Sequence, residues 1–187
     1  MKYNNKYKYI KNNSILQPLI DEYILTKSEI SKIYSFYVTY SMSGNQSLKK
    51  RNFTDYGWKS NDIKTIKEKL RELIDFESNN YKFLDKEGYD IKSSFEDLNL
   101  MDGKLNHIDT ERAVVIKTDN TNMVLNYFHR IRDGFAHGKF ILKYSSNNER
   151  MVIIQDDNGD NVTGRIVVKL ETLLGIISII DRNNIIG

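Results

Sequence analysis

The spacing of apolar residues changes character at Gly138, and any fold for this chain has to accommodate that change. Before it, Met123, Val124, Tyr127, Phe128, Ile131 and Phe135 recur every three or four residues, the repeat of one helix face. After it, "KFILKY", "RMVIIQD" and "TGRIVVK" are strand-type runs separated by the turn-rich "SSNNE" and "DDNGDN". Glycine suits the left-handed position just past a helix, so this helix is expected to end at His137. Asp119 or Thr121 is the expected cap at its start, near Asn122. The chain closes on "LETLLGIISIID", an apolar helix suited to packing on earlier ones.

Helical patterns dominate upstream. "SEISKIYSFYVTYSM" carries Ile30, Ile33, Tyr34, Tyr37, Val38 and Met42 at helical spacing, with Ser28 as the expected N-cap and Ser31 as a weak partner for it. "SNDIKTIKEKLRELIDFES" is the clearest amphipathic helix: Ile63, Ile66, Leu70, Leu73 and Ile74 line one face and charges cover the other. Pro18 is expected to precede a helix, and "SGNQSLKKRNFTDYG" reads as a loop. From Asn79 to Ile108, short helical pieces are broken by Gly88 and Gly103, and "ERAVVIKTDN" is a strand or a connector. With no repeat and no long linker, residues 1–187 read as a single domain. The expected architecture is mainly α within α+β. It is a helical bundle with a small antiparallel β-meander at 139–168 before the C-terminal helix, and 1–20 form an N-terminal arm.

Composition narrows the chemistry. The 187 residues include no cysteine, which removes disulfides, thiolate metal sites and cysteine nucleophiles and fits a reducing cytoplasm. The net charge of +3 is too small to mark a nucleic-acid binder by itself. Lys2, Lys6, Lys8 and Lys11 do alternate with Tyr3, Tyr7 and Tyr9, a basic aromatic arm able to touch phosphates and bases. A frayed terminus is the plainer reading of the same residues. No apolar run reaches bilayer length, and the N-terminus lacks the apolar core of a secretory signal, so neither membrane nor export is expected.

Several motifs can be set aside. "DDNGDN" alternates Asp156, Asn158 and Asp160 like a calcium loop, but Asn161 stands where glycine is needed and Val167 where glutamate is needed. No glycine-rich phosphate loop and no serine elbow occurs. The histidines are His107, His129 and His137. His129, Asp133 and His137 are four apart and could share a metal-binding face, but a helix ending at His137 carries that ring away, so no metal is expected. Arg132 with His137 is the better pair. Histidine takes and gives protons near neutral pH, and arginine grips phosphate bidentately. Together they meet the needs of RNA cleavage without a metal or other cofactor: a proton transfer at the 2′-OH or the 5′-oxygen, and stabilisation of the phosphorane. Basic residues at a helix end are also ordinary structural features, and spacing alone does not separate the two readings.

The local pattern adds to this. "IRDGFAHG" resembles the signature of the HEPN superfamily (higher eukaryotes and prokaryotes nucleotide-binding domain), an arginine, four to six residues, then a histidine. Arg132, the four residues "DGFA" and His137 satisfy it, and Ala136 and Gly138 match the residues that commonly flank the histidine. The resemblance covers about eight residues, extended by the layout of an apolar helix before the motif and strands plus a helix after it. It implies a HEPN-like helical bundle that dimerises, with the two motifs forming one composite site. It also implies metal-independent endoribonuclease activity in toxin–antitoxin, abortive-infection or other antiphage defence, with RNA as substrate and an antitoxin or defence protein as possible partner. Some family members are instead non-catalytic RNA-binding or dimerisation modules. By the same resemblance His137 is the acid/base, Arg132 binds the scissile phosphate and Asp133 orients one of them. Arg130 and Lys139 are further candidate RNA contacts. Asp133 stands where asparagine is usual, and Lys139 where one toxin subgroup has tyrosine.

Overall fold

The computed structural model describes residues 24–42, 51–85, 90–105, 108–118 and 122–186. The arm at 1–20, Pro18, His107 and the proposed caps Asp119 and Thr121 lie outside these residues.

The chain runs through helix α1 (Lys27–Ile33), which continues as a π-helical turn over Tyr34–Thr39, helix α2 (Ile63–Leu73), strand β1 (Tyr81–Leu84) and helix α3 (Ile91–Asp97). Strand β2 (Arg112–Ile116) and helix α4 (Met123–Ala136) follow. Strands β3 (Phe140–Tyr144), β4 (Arg150–Asn158) and β5 (Asn161–Lys169) and helix α5 (Leu170–Ile180) complete the fold. The strands form one five-stranded sheet in the order β1-β2-β5-β4-β3. β3, β4 and β5 are the expected antiparallel meander. β2 adds antiparallel to β5, and β1 adds parallel to β2.

This corrects the expectation of a mainly helical bundle: the architecture is α+β, organised on a mixed sheet that forms the middle layer. The reason lies in the strands. β4 and β5 are buried along most of their length, on both faces. Such strands need a layer on each side, and they read as continuous apolar runs rather than alternating ones. Val152, Ile154, Ile166 and Val168 face a core shared with α1, α2, α4 and α5. Met151, Ile153 and Val167 face a second core built by α3 and the segment after it, through Phe95, Leu100, Leu105 and Ile108. Fully buried Arg165 ties that segment down, donating to Gln155 and to the Leu100 carbonyl at 2.6 Å and pairing with Asp102 at 2.8 Å.

The helix starts also differ from expectation. Thr26, not Ser28, caps α1. Its hydroxyl accepts from the Glu29 amide at 3.2 Å, and the Glu29 carboxylate accepts from the Thr26 amide at 2.8 Å. Thr26 therefore has the carboxylate three residues on that Ser28 lacks. In α2, Ile66 and Leu70 are buried as expected, but Ile63, in the first turn, is 50% exposed. Asn122 is the cap of α4, accepting from the amides of Val124 and Leu125. Among the described residues, no helix is long and apolar enough to cross a membrane.

Candidate active site at the end of helix α4

α4 sits with Tyr127, Phe128, Ile131 and Phe135 in the core. Two features set its depth against the sheet. Gly134 allows close approach: a Cβ there would lie 2.2 Å from Cγ2 of Ile154 on β4. Arg130 then reaches the sheet. Its guanidinium is buried, pairs with Asp156 on β4 and donates to the Ile116 carbonyl at the end of β2. Thr163 on β5 completes the network, its hydroxyl donating to Asp156 at 2.6 Å. This buried ion pair is bonded to three strands, with Arg130 Nε buried and without a hydrogen-bond partner among the described residues.

The helix ends as the sequence predicts. His137 is the C-cap, and Gly138 takes a left-handed conformation with φ of 66°. The Gly138 amide donates to the Phe135 carbonyl at 3.2 Å and the Lys139 amide to the Gly134 carbonyl at 2.7 Å, the paired bonds of a Schellman motif. Tyr34 of the π-helical turn donates its hydroxyl to the Phe135 carbonyl at 3.2 Å. The last turn is thus held from both sides, and the chain passes directly into β3.

The polar residues of the motif divide into three groups. Arg132, Asp133 and His129 are joined: Asp133 Oδ1 accepts from Arg132 Nη1, and Oδ2 lies 3.2 Å from His129 Nε2. The Arg132 side chain is only 12% exposed. Burial lowers the pKa of His129 below its ordinary value, against the opposing pull of Asp133. His137 stands apart, one turn beyond Asp133, exposed at the helix end. Arg130 and Lys139 form the third group. Arg130 is committed to the sheet, and the Lys139 ammonium pairs with Asp157 on β4.

His129, Asp133 and His137 do not assemble into a metal cage: among the described residues, no group of three or more His, Asp, Glu or Cys is placed to hold an ion. A cavity lined by Lys67, Arg71, Asn122, Met123 and Val124 lies at the opposite end of α4 from the motif. His129, which the sequence reading considers only as a metal ligand, is the neighbour of Asp133 in the fold. Its only sequence signal is a spacing of four from Asp133. Comparison with protein-family models, curated proteins and solved structures returns no match for the chain.

Proposed function

We propose that the chain is a metal-independent endoribonuclease of the HEPN type, acting in the cytoplasm in toxin or antiphage defence, with HEPN-like chemistry carried on a sheet-based fold. The observation that carries this reading is the exposed His137 ring at a fixed helix end, five residues along the chain from an arginine held by a carboxylate. In the proposed reaction the ribose 2′-oxygen attacks phosphorus and the bond to the 5′-oxygen breaks. His137 moves a proton at one of these two oxygens. Arg132 stabilises the charge that builds on the phosphorane oxygens. A second copy of the chain, with its motif at the same cleft, would supply the second acid/base. RNA cleaved in EDTA, leaving 2′,3′-cyclic phosphate ends, is the expected result. No cleavage of any RNA, or cleavage that EDTA abolishes, removes the proposal.

One observation favours the alternative, a non-catalytic RNA-binding or dimerisation module. Arg132 is mostly buried and already paired with Asp133, so a phosphate has to share that guanidinium or displace the carboxylate. This reading gives RNA retention without cleavage, weakened by added salt and by Arg132→Ala.

A further inference from the structure

We propose that the cavity between α2 and the start of α4 binds a small organic anion, a phosphate or carboxylate group carried on an apolar body. The proposal goes beyond the ribonuclease reading and does not depend on it.

The cavity holds about 420 Å³, within the range of small-molecule sites. Its floor is apolar. Leu70 and Phe76 are buried there, and Met123 and Val124 are partly buried against the same core. Phe76 is fixed in place by three aromatic neighbours: the rings of Tyr81, Phe83 and Tyr127 meet it edge to face at 5.5, 5.9 and 5.1 Å. The floor is therefore formed before any ligand arrives, which lowers the ordering cost of binding.

The charge comes from α2. Lys67 and Arg71 both line the cavity and stand four residues apart, on one face of that helix. Lys67 makes no ion pair or hydrogen bond with the described residues. Arg71 Nη2 donates to Glu77 Oε1 at 2.6 Å, and the two side chains are 61% and 64% exposed. A pair so open to water is weakly held, so this guanidinium can turn to an anion in the cavity. Glu77 is the one carboxylate among the described lining residues, and two cations outweigh it. The start of α4 contributes apolar wall rather than amide donors, because Asn122 already accepts from the Val124 and Leu125 amides. This division selects the ligand. A bare inorganic anion leaves the floor in water, and a neutral apolar molecule leaves the cations unused. A molecule with both parts gains from each.

The test titrates phenyl phosphate into the full chain and follows the methyl signals of Met123 and Val124 by NMR. A saturable shift with a Kd of about 1 mM is expected, weakened by added salt. Inorganic phosphate is expected to bind about tenfold more weakly, since it covers none of the floor. Lys67→Gln and Arg71→Gln are each expected to weaken phenyl phosphate about fivefold. Lys69→Gln makes the same charge change about 200° round the helix and is expected to leave binding as it was. Val124→Phe keeps every charge and fills the cavity, and is expected to abolish the shift at Met123. No saturable shift in the wild type overturns the proposal. So does inorganic phosphate binding as tightly as phenyl phosphate, or Lys69→Gln weakening binding as much as Lys67→Gln, because either means that α2 attracts anions at large. Unchanged binding in the Lys67→Gln, Arg71→Gln double variant overturns it as well.

Discussion

Arg130 and Arg132 lie two residues apart on α4, and their guanidiniums meet different surroundings. Arg130 points into the sheet, where Asp156, Thr163 and the Ile116 carbonyl surround it. Arg132 has a carboxylate partner from its own helix, Asp133, whose other oxygen lies 3.2 Å from His129 Nε2. The inner network joins a helix to three strands. The Arg132–Asp133 pair is formed between neighbours on one helix. In a helix of this kind the rotation of about 200° between residues i and i+2 is enough to aim one arginine at the sheet and to set the other beside a carboxylate of its own helix. The difference teaches how to tell a structural cation from a candidate functional one: by what would be left uncompensated if it were removed.

The largest expected effect tests the inner side. Arg130→Met leaves Asp156 buried without its cation and is expected to cost about 3–5 kcal/mol in a denaturant titration. A loss below about 1 kcal/mol would mean that the network is not what seats α4. Next is Gly134→Ala. The added Cβ collides with Ile154, and overpacking of this kind costs about 1–3 kcal/mol, partly offset by up to about 1 kcal/mol of helix propensity. Net stabilisation would show that α4 has room to lift from β4.

On the outer side the effects are smaller and fall on binding. Asp133→Asn keeps the shape and removes the charge beside Arg132. RNA affinity, read by fluorescence anisotropy, is expected to rise severalfold and to depend more steeply on salt. Weaker binding would show that the carboxylate orients Arg132 more than it competes for it. The smallest effect is on pH dependence. His129 has a lowered pKa in the fold, so the unfolded chain binds its proton first as pH falls. Stability from this residue is therefore present above about pH 6.5, the ordinary histidine value, and is lost as pH drops below it. Thermal melts from pH 7.5 to 5 should show this slope, and His129→Gln should flatten it.

Much of the meander and of α4 was legible in the sequence because both carry unambiguous periods. The helix stop was legible because Gly138 has one conformational use there. The sheet's full extent was not. β1 has only four residues, too few to display a period, and its partner β2 is a buried run that reads equally as connector. The signal that could have shown it was the absence of alternation in "RMVIIQD" and "RIVVK": strands apolar on both faces belong in a middle layer, not on the flank of a bundle. At the candidate site, spacing identified Arg132, Asp133 and His137 as neighbours on the chain but not what each one touches. The commitment of Arg130 to Asp156 and of Lys139 to Asp157 spans 26 and 18 residues, and no local pattern encodes it.

The central claim is that the end of α4 carries a fold on one side and a reaction on the other. The most direct measurement pairs a melting curve with an RNA-cleavage assay on His137→Ala. The exposed ring makes no hydrogen bond to the described residues, so the melting temperature should stay within about 1 °C of the wild type, as for ordinary surface substitutions, while cleavage is lost. A lowered melting temperature with cleavage intact would contradict the account and make His137 a helix cap and nothing more.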